Sequence, residues 1–317
     1  MASKRQSNSR EKNSRSDGAL CLLNSWDRPV ATDILITGIP RSGTTLAAAL
    51  IDGCPDTVCL SEPEHQLDLM RASGSASEFA TNVVQDYARI RYILLAGGTT
   101  SDRRTSEGKA VSNYFSRESN GSPRLAIYSE TEWSRHGLSG NFTLGMKHNA
   151  LYTSILPELI ALNHFLVLAI IRDPADAIAS WLSLSLPVSL GRLPAAERYW
   201  GEMNELTEGS LALHDKQIFI CELFCKRYLS SGPAIHLLRF EDFVRSPDLL
   251  YSAAGSSLRD PSSSIHLEGP IDRSALTATL RKRLYTLAQE GLIPSILNYY
   301  PQYMNDPDSE GSRYVAS

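Results

Sequence analysis

The sequence predicts an α/β domain in which a central parallel sheet carries helices on both faces. Three observations lead there. Short, almost wholly apolar runs alternate with longer segments whose apolar residues recur at three- and four-residue steps. The runs lack the in-out alternation of a sheet with one wet face, so they read as strands buried on both sides. Glycines, hydroxyls and charged residues follow the strands, where sheets of this kind bind ligands. With 317 residues, 42% hydrophobic and 21% charged, the chain suits one large domain and needs no second core.

In chain order, residues 1–30 read as a disordered tail. Residues 1–18 are polar, basic and rich in Ser and Asn, and the apolar stretch from Ala19 to Leu23 is too short for a signal-peptide core or a membrane span. A cytoplasmic protein is expected. A single domain then runs over 31–300, and 301–317 reads as a C-terminal tail.

Asp33 to Thr37 is the first strand, broken at Gly38 and Pro40. Thr44 to Asp52 is a helix stopped by Gly53 and Pro55, and Thr57 to Leu60 a second strand, so the opening is a βαβ unit. Phe79 to Leu95 is helical, with Phe79, Val83, Tyr87, Ile90 and Leu94 on one face. Residues 99–123 are polar and too long for an ordinary connector, and read as a disordered insertion or a mobile lid.

Strands follow at Phe142 to Met146 and Phe165 to Ile171, with a helix near Ser154 to Leu162 between them. Pro174 to Leu186 is a helix with Asp173 as N-cap and Pro174 at its first position. Helical segments Ala195 to Leu206 and Leu211 to Leu229 precede a last strand, Ala234 to Phe240. A short helix from Glu241 and a longer one from Arg273 to Glu290 close the domain.

Charge narrows the ligands. Thirty-one basic residues against 35 acidic ones give a net charge of −4, which excludes a general attraction to nucleic acid or to anionic membrane. An anionic ligand needs a local basic site. The five cysteines, Cys21, Cys54, Cys59, Cys221 and Cys225, show no CxxC or paired metal-ligand spacing, and the expectation is buried thiols and no metal.

Such a basic site exists between the first strand and helix, at Gly38-Ile-Pro-Arg-Ser-Gly-Thr-Thr45. Backbone amides and a helix N-terminus converge there into an anion cradle. Its two glycines have the interval of a phosphate loop, but Thr44 stands where GxxxxGK[ST] requires lysine. The cation sits inside the turn instead, as Arg41, whose guanidinium can grip an anion in two places.

Pro40-Arg-Ser-Gly-Thr-Thr-Leu46 resembles the 5′-phosphosulfate loop of sulfotransferases, in the arginine form of the Golgi-type and many bacterial members. Leu168-Ala-Ile-Ile-Arg-Asp-Pro174, with Ser180 eight positions after Arg172, resembles that family's 3′-phosphate motif. Leu238-Arg-Phe-Glu-Asp-Phe243 resembles its RYEDL-type segment, with Phe240 where Tyr is usual, and Glu241-Asp242 is expected to cap the helix that follows. The resemblance is strongest over 33–65 and 142–182 and moderate at 234–247. It is absent from the tail, from 99–123 and after about Pro261.

What the resemblance implies is a P-loop kinase-like three-layer α/β/α fold and transfer of a sulfuryl group from 3′-phosphoadenosine-5′-phosphosulfate (PAPS), without metal. Arg41, Ser42, Gly43, Thr44 and Thr45 would hold the 5′-phosphosulfate, and Arg172 and Ser180 the 3′-phosphate. The transfer needs an in-line nucleophile, a base for its proton, and cations where charge develops.

Three candidate bases follow the second strand: Glu62, Glu64 and His65. Glu62 stands 21 positions after Arg41, the interval of the base in tyrosylprotein sulfotransferases, and the intervening Asp52, Pro55, Asp56 and Cys59 also look like that family's stretch. Lys147, 25 positions before Arg172, reads either as a plain strand-end lysine or as the cation on the developing charge, with His148 beside it as an alternative donor.

The acceptor is expected to be a small molecule or sugar taking the group on a hydroxyl or amine, with neither nucleic acid nor membrane as partner. Two other readings fit the loop. One is a phosphate-loop nucleotide kinase using magnesium and ATP, and the other a nucleotide-binding protein without chemistry.

Overall fold

The computed structural model describes residues 33–105, 107–117, 123–125, 130–255 and 274–307. The expected tail at 1–30, Cys21, the region from Pro261 to Arg273 and residues 308–317 lie outside the described residues.

The chain opens as read: β1 (Asp33–Gly38), α1 (Thr44–Asp52) and β2 (Thr57–Ser61), then α2 (His65–Ala72) and α3 (Ala76–Leu95). Short strands follow, β3 (Thr100–Arg103), β4 (Phe115–Arg117), β5 (Pro123–Leu125) and β6 (Glu130–Trp133). After them come β7 (Thr143–Lys147), α4 (Asn149–Ser154), α5 (Leu156–Ala161), β8 (Leu166–Ile171) and α6 (Pro174–Leu182). The last part holds α7 (Pro194–Glu197), α8 (Gly201–Glu208), α9 (Leu213–Ser231), β9 (His236–Arg239), α10 (Phe240–Arg245), α11 (Asp248–Ala254), α12 (Ser274–Gln289) and α13 (Pro294–Tyr299).

Five strands form one parallel sheet in the order β2-β7-β1-β8-β9. The chain therefore starts in the middle of its sheet and reverses direction there, so β1 and β8, the strands that precede the two expected phosphate grips, are neighbours. Alternation divides the core into two layers. Ile34, Ile36, Leu168 and Ile170 pack under α1, α10 and α11, whereas Leu35, Val167, Ala169 and Ile171 face the larger cluster with α3, α6, α9 and α12. Sheet and two helical layers make the predicted α/β/α arrangement of the P-loop kinase-like fold. Among the described residues no helix is long and apolar enough to cross a membrane.

Several boundaries move. The helix expected to reach Leu186 ends at Leu182, where Ser183 and then Pro187 interrupt it, and the single helix expected over 195–206 divides ahead of Gly201. The segment 99–123 is more built than its composition suggests. Its strand β3 pairs antiparallel with β6, and its Arg104 and Tyr114 are buried. The domain also continues past 300: Tyr303 is buried and its hydroxyl donates to Asp173 Oδ1 at 2.6 Å. A hydrogen-bond partner on the other side of the core is what polar composition conceals.

Candidate active site

The loop from Gly38 to Gly43 is held by its neighbours on both sides. The Ile39 amide and the Ser42 hydroxyl donate to the Ile170 carbonyl at 3.0 and 2.8 Å, and Trp181 Nε1 donates to the Pro40 carbonyl at 2.7 Å. Gly43 has φ +84°, and a Cβ there would stand 2.3 Å from the Phe240 ring. Ser42 is fully buried, with its amide bonded to the Ile39 carbonyl and its hydroxyl turned to Ile170. It shapes the turn, and neither of its donors points outward. The amides of Gly43, Thr44 and Thr45 have no partner among the described residues, which leaves the start of α1 as an anion cradle.

Arg41 stands at the lip of this cradle with φ 68°. Its Nε donates to Ser180 Oγ at 3.3 Å and its Nη2 to Asn113 Oδ1 at 3.4 Å, while its carbonyl accepts from Arg172 Nη1 at 3.2 Å. The residues expected at separate phosphates are thus contiguous. Arg172 lies over the Phe240 ring at 4.7 Å, and its Nε is buried without a hydrogen-bond partner. A buried guanidinium nitrogen left unmatched beside an amide cradle fits a polyanionic ligand. Asp173 caps α6 as read, accepting from the Ala175 and Asp176 amides. Glu241 does not cap α10, the helix beginning at Phe240: it accepts the Asp173 amide at 2.8 Å and so braces the turn after β8.

On the other side of the cradle the structure separates the three candidate bases. Glu62 Oε1 meets Lys147 Nζ at 2.6 Å, and the same ammonium donates to Thr45 Oγ1 at 3.1 Å. His65 is turned away onto Asp86 at 2.7 Å, and Glu64 is exposed beside Arg103. Lys147 is buried, which an unpaired strand-end lysine would not tolerate. Burial pushes the Glu62 carboxyl up, but the Lys147 ammonium, with His148 and Arg103 nearby, outweighs it and holds the carboxyl at about 2. Burial pulls Lys147 below its ordinary value against the opposing pull of Glu62. Burial also brings His148 down to about 4, so its ring is neutral near pH 7 and charged only in the acid range where Glu62 titrates.

The backbone marks Arg41 and Glu62. Arg41, Asp56, Glu62 and Asn163 are the non-glycine residues with positive φ among those described. Asp and Asn tolerate the left-handed region through local hydrogen bonds, whereas Arg and Glu do not, so strain is concentrated at the loop cation and at Glu62.

Sequence reasoning missed what holds Glu62 there. The strand β2 lies at the sheet edge, and the Glu62 amide bonds Lys147 on β7, so residues 57, 59 and 61 turn their backbone groups outward. Among the described residues no sixth strand meets them; side chains do. Arg135 donates to the Thr57 carbonyl, Asp52 accepts the Cys59 amide at 2.8 Å, Arg104 donates to the Cys59 carbonyl at 3.1 Å, and Asp102 accepts the Ser61 amide at 2.8 Å. Arg104 joins these groups, with both Asp52 oxygens at 2.9 and 3.0 Å, Asp102 at 2.7 Å and the Trp133 ring at 3.8 Å. No local pattern announces such a network, because its members come from α1, β3, β6 and the loop after β6.

Strand order, glycine loop and helix N-terminus define a P-loop kinase-like α/β protein. Within that class residues 33–251 match the sulfotransferase family, and the chain belongs to it. That span contains the loop, Glu62, Lys147, Arg172 and Ser180, and it stops before Pro261, after which the sequence shows no resemblance. Among solved structures the chain is similar to the sulfotransferase from Alicyclobacillus acidocaldarius, at 15% identity and a TM-score of 0.40 over 89% of this chain and 98% of that one. No curated protein sequence matches it.

Proposed function

We propose that the protein transfers the sulfuryl group of PAPS to a hydroxyl or amine of a small-molecule or sugar acceptor, with Glu62 as general base. The observation that carries this reading is the position of the Lys147 ammonium, which touches both the phosphate loop at Thr45 and the carboxylate of Glu62. A cation there reaches the transferring group and the proton acceptor together.

PAPS supplies an activated sulfuryl group whose leaving group is 3′-phosphoadenosine-5′-phosphate. The Gly43, Thr44 and Thr45 amides and Arg41 hold its 5′ end, and Arg172 with Ser180 the 3′-phosphate. Ser42 contributes by fixing the turn. Lys147 then neutralises charge on the sulfonyl and departing oxygens as the sulfur–oxygen bond to the phosphate breaks and that to the acceptor forms.

A carboxyl held at about 2 suits this step. The acceptor oxygen becomes strongly acidic once it bonds to sulfur, so a weak base suffices late in the transfer. As Lys147 turns its charge toward the sulfonyl oxygens, its hold on Glu62 weakens and the carboxylate gains proton affinity.

The test is incubation with labelled PAPS and a panel of hydroxylated and aminated metabolites and sugars. Label is expected on at least one acceptor. Absence of transfer, combined with ATP displacing 3′-phosphoadenosine-5′-phosphate from the protein in calorimetry, would overturn the reading in favour of a nucleotide kinase.

A further inference from the structure

The segment 99–123 has no counterpart in the resemblance, yet its residues touch both halves of the site. Asn113 accepts from Arg41 Nη2, and the next residue, Tyr114, reaches the turn that carries Glu62. Its hydroxyl donates to Ser61 Oγ at 2.6 Å, with the Ser61 carbonyl oxygen at 3.2 Å. The Lys147 ammonium lies 5.3 Å from the centre of the Tyr114 ring, and the Arg103 guanidinium 5.8 Å from the same centre. Both are within cation–π reach.

We propose that Tyr114 is a positioning residue for the Glu62–Lys147 pair, its hydroxyl fixing the Ser61–Glu62 turn and its ring holding the Lys147 ammonium. The proposal rests on the sulfuryl-transfer reading of that pair.

The physical reason is that Glu62 occupies a backbone conformation that glutamate resists, with φ 51°. Its own amide is tied to Lys147 at 2.9 Å, which fixes one side of the residue. The other side depends on Ser61, which Asp102 grips by the amide and Tyr114 by the hydroxyl. Without the Tyr114 contact the turn is free to relax from its strained form, and the carboxylate moves with it. Tyr114 is only 7% exposed, so it also keeps water from the pair and leaves each charge to the other.

Two variants separate the two functions of the side chain. Tyr114→Phe keeps the ring and removes the hydroxyl; Tyr114→Ala removes both. In Tyr114→Phe, kcat is expected to fall about tenfold with the donor KM within about twofold, the loss of one hydrogen bond. In Tyr114→Ala the expected fall is about a hundredfold. A purely structural tyrosine would lower the melting temperature and leave the Glu62 carboxyl where it is, so the carboxyl is titrated by carbon NMR in the full chain. Among the groups around it, Lys147, His148 and Arg103, the Lys147 contact is the one set to slacken. In Tyr114→Phe, which keeps the ring over the pair, the midpoint should therefore rise from about 2 toward the ordinary glutamate value of 4.5; in Tyr114→Ala the water admitted to the pair works against that rise.

An unchanged kcat and an unchanged Glu62 titration in both variants would overturn the proposal, whatever happens to their melting temperatures. If the wild-type chain transfers no sulfuryl group, the proposed function fails by itself. The titration then decides alone: a rise in Tyr114→Phe upholds Tyr114 as the positioning residue, and no rise removes it.

Discussion

The two flanks of the anion cradle are built on opposite principles. On the β8 side, two turns, each written in a few neighbouring residues around a glycine and the capped start of α6, meet across 128 to 141 residues of chain. On the β2 side, the edge strand is finished by charged side chains, Asp52 from 7 residues away and Asp102, Arg104 and Arg135 from 41 to 78. The first flank sets the amides at the start of α1 beside the guanidiniums of Arg41 and Arg172, an arrangement whose chemistry suits an anion. The second buries Arg104, Asp52 and Asp102 and is stable only while every charge has its partner. A backbone-built site tolerates sequence change around it, whereas a buried ionic one fails when any member is lost.

The largest expected effect falls on the β2 flank. Glu62→Gln keeps an acceptor oxygen for Lys147 but no base, and turnover should drop roughly 10²- to 10⁴-fold with donor affinity within about twofold, measured by single-turnover kinetics and calorimetry. Unchanged turnover would remove Glu62 as the base.

Next comes Arg104→Ala, which leaves Asp52 and Asp102 buried without their cation. A loss of about 3–5 kcal/mol in denaturant unfolding is expected. A loss below about 1 kcal/mol would mean that the edge is not held by this network.

On the β8 flank, Arg172→Ala should weaken binding of 3′-phosphoadenosine-5′-phosphate about 10- to 100-fold in calorimetry, with little change in unfolding free energy. Destabilisation without loss of affinity would reverse the assignment of the two flanks.

The smallest effect is confined to acid. Glu62 is held below its ordinary value of 4.5, so its contribution to stability is complete above that pH and is lost as pH falls through about 2. Asp52 is lowered too, its burial outweighed by Arg104 and Arg135, and it acts in the same direction; Asp102, raised by burial, opposes them. The stability difference between wild type and Glu62→Gln should therefore shrink between pH 4.5 and 2. A difference that stays constant over that window would show that the ion pair does not contribute through charge.

The turns that carry the candidate donor motifs were legible because local rules write them. Gly38 and Pro40 break a strand, Gly43 permits a left-handed turn, and Asp173 with Pro174 starts a helix wherever they occur. Three candidate bases were readable, Glu62, Glu64 and His65, and the interval from Arg41 favoured the first. Geometry then distinguished them, since Lys147 faces Glu62 while Asp86 takes His65. In 99–123 the polar composition concealed two packed residues: Arg104 and Tyr114 are buried among partners that local periodicity cannot anticipate.

The sequence alone determined the α/β class, the strand–turn–helix that carries the glycine loop, the order of the two candidate phosphate motifs and a short set of candidate bases, since each is encoded in a few neighbouring residues. Only the tertiary structure decided that Lys147 bridges Thr45 and Glu62, that Ser42 faces inward, that Glu241 braces Asp173, and that Asp52, Asp102, Arg104 and Arg135 complete the sheet edge. These contacts join distant parts of the chain, and burial makes their charges choose one another. That choice depends on which elements the packed sheet brings together.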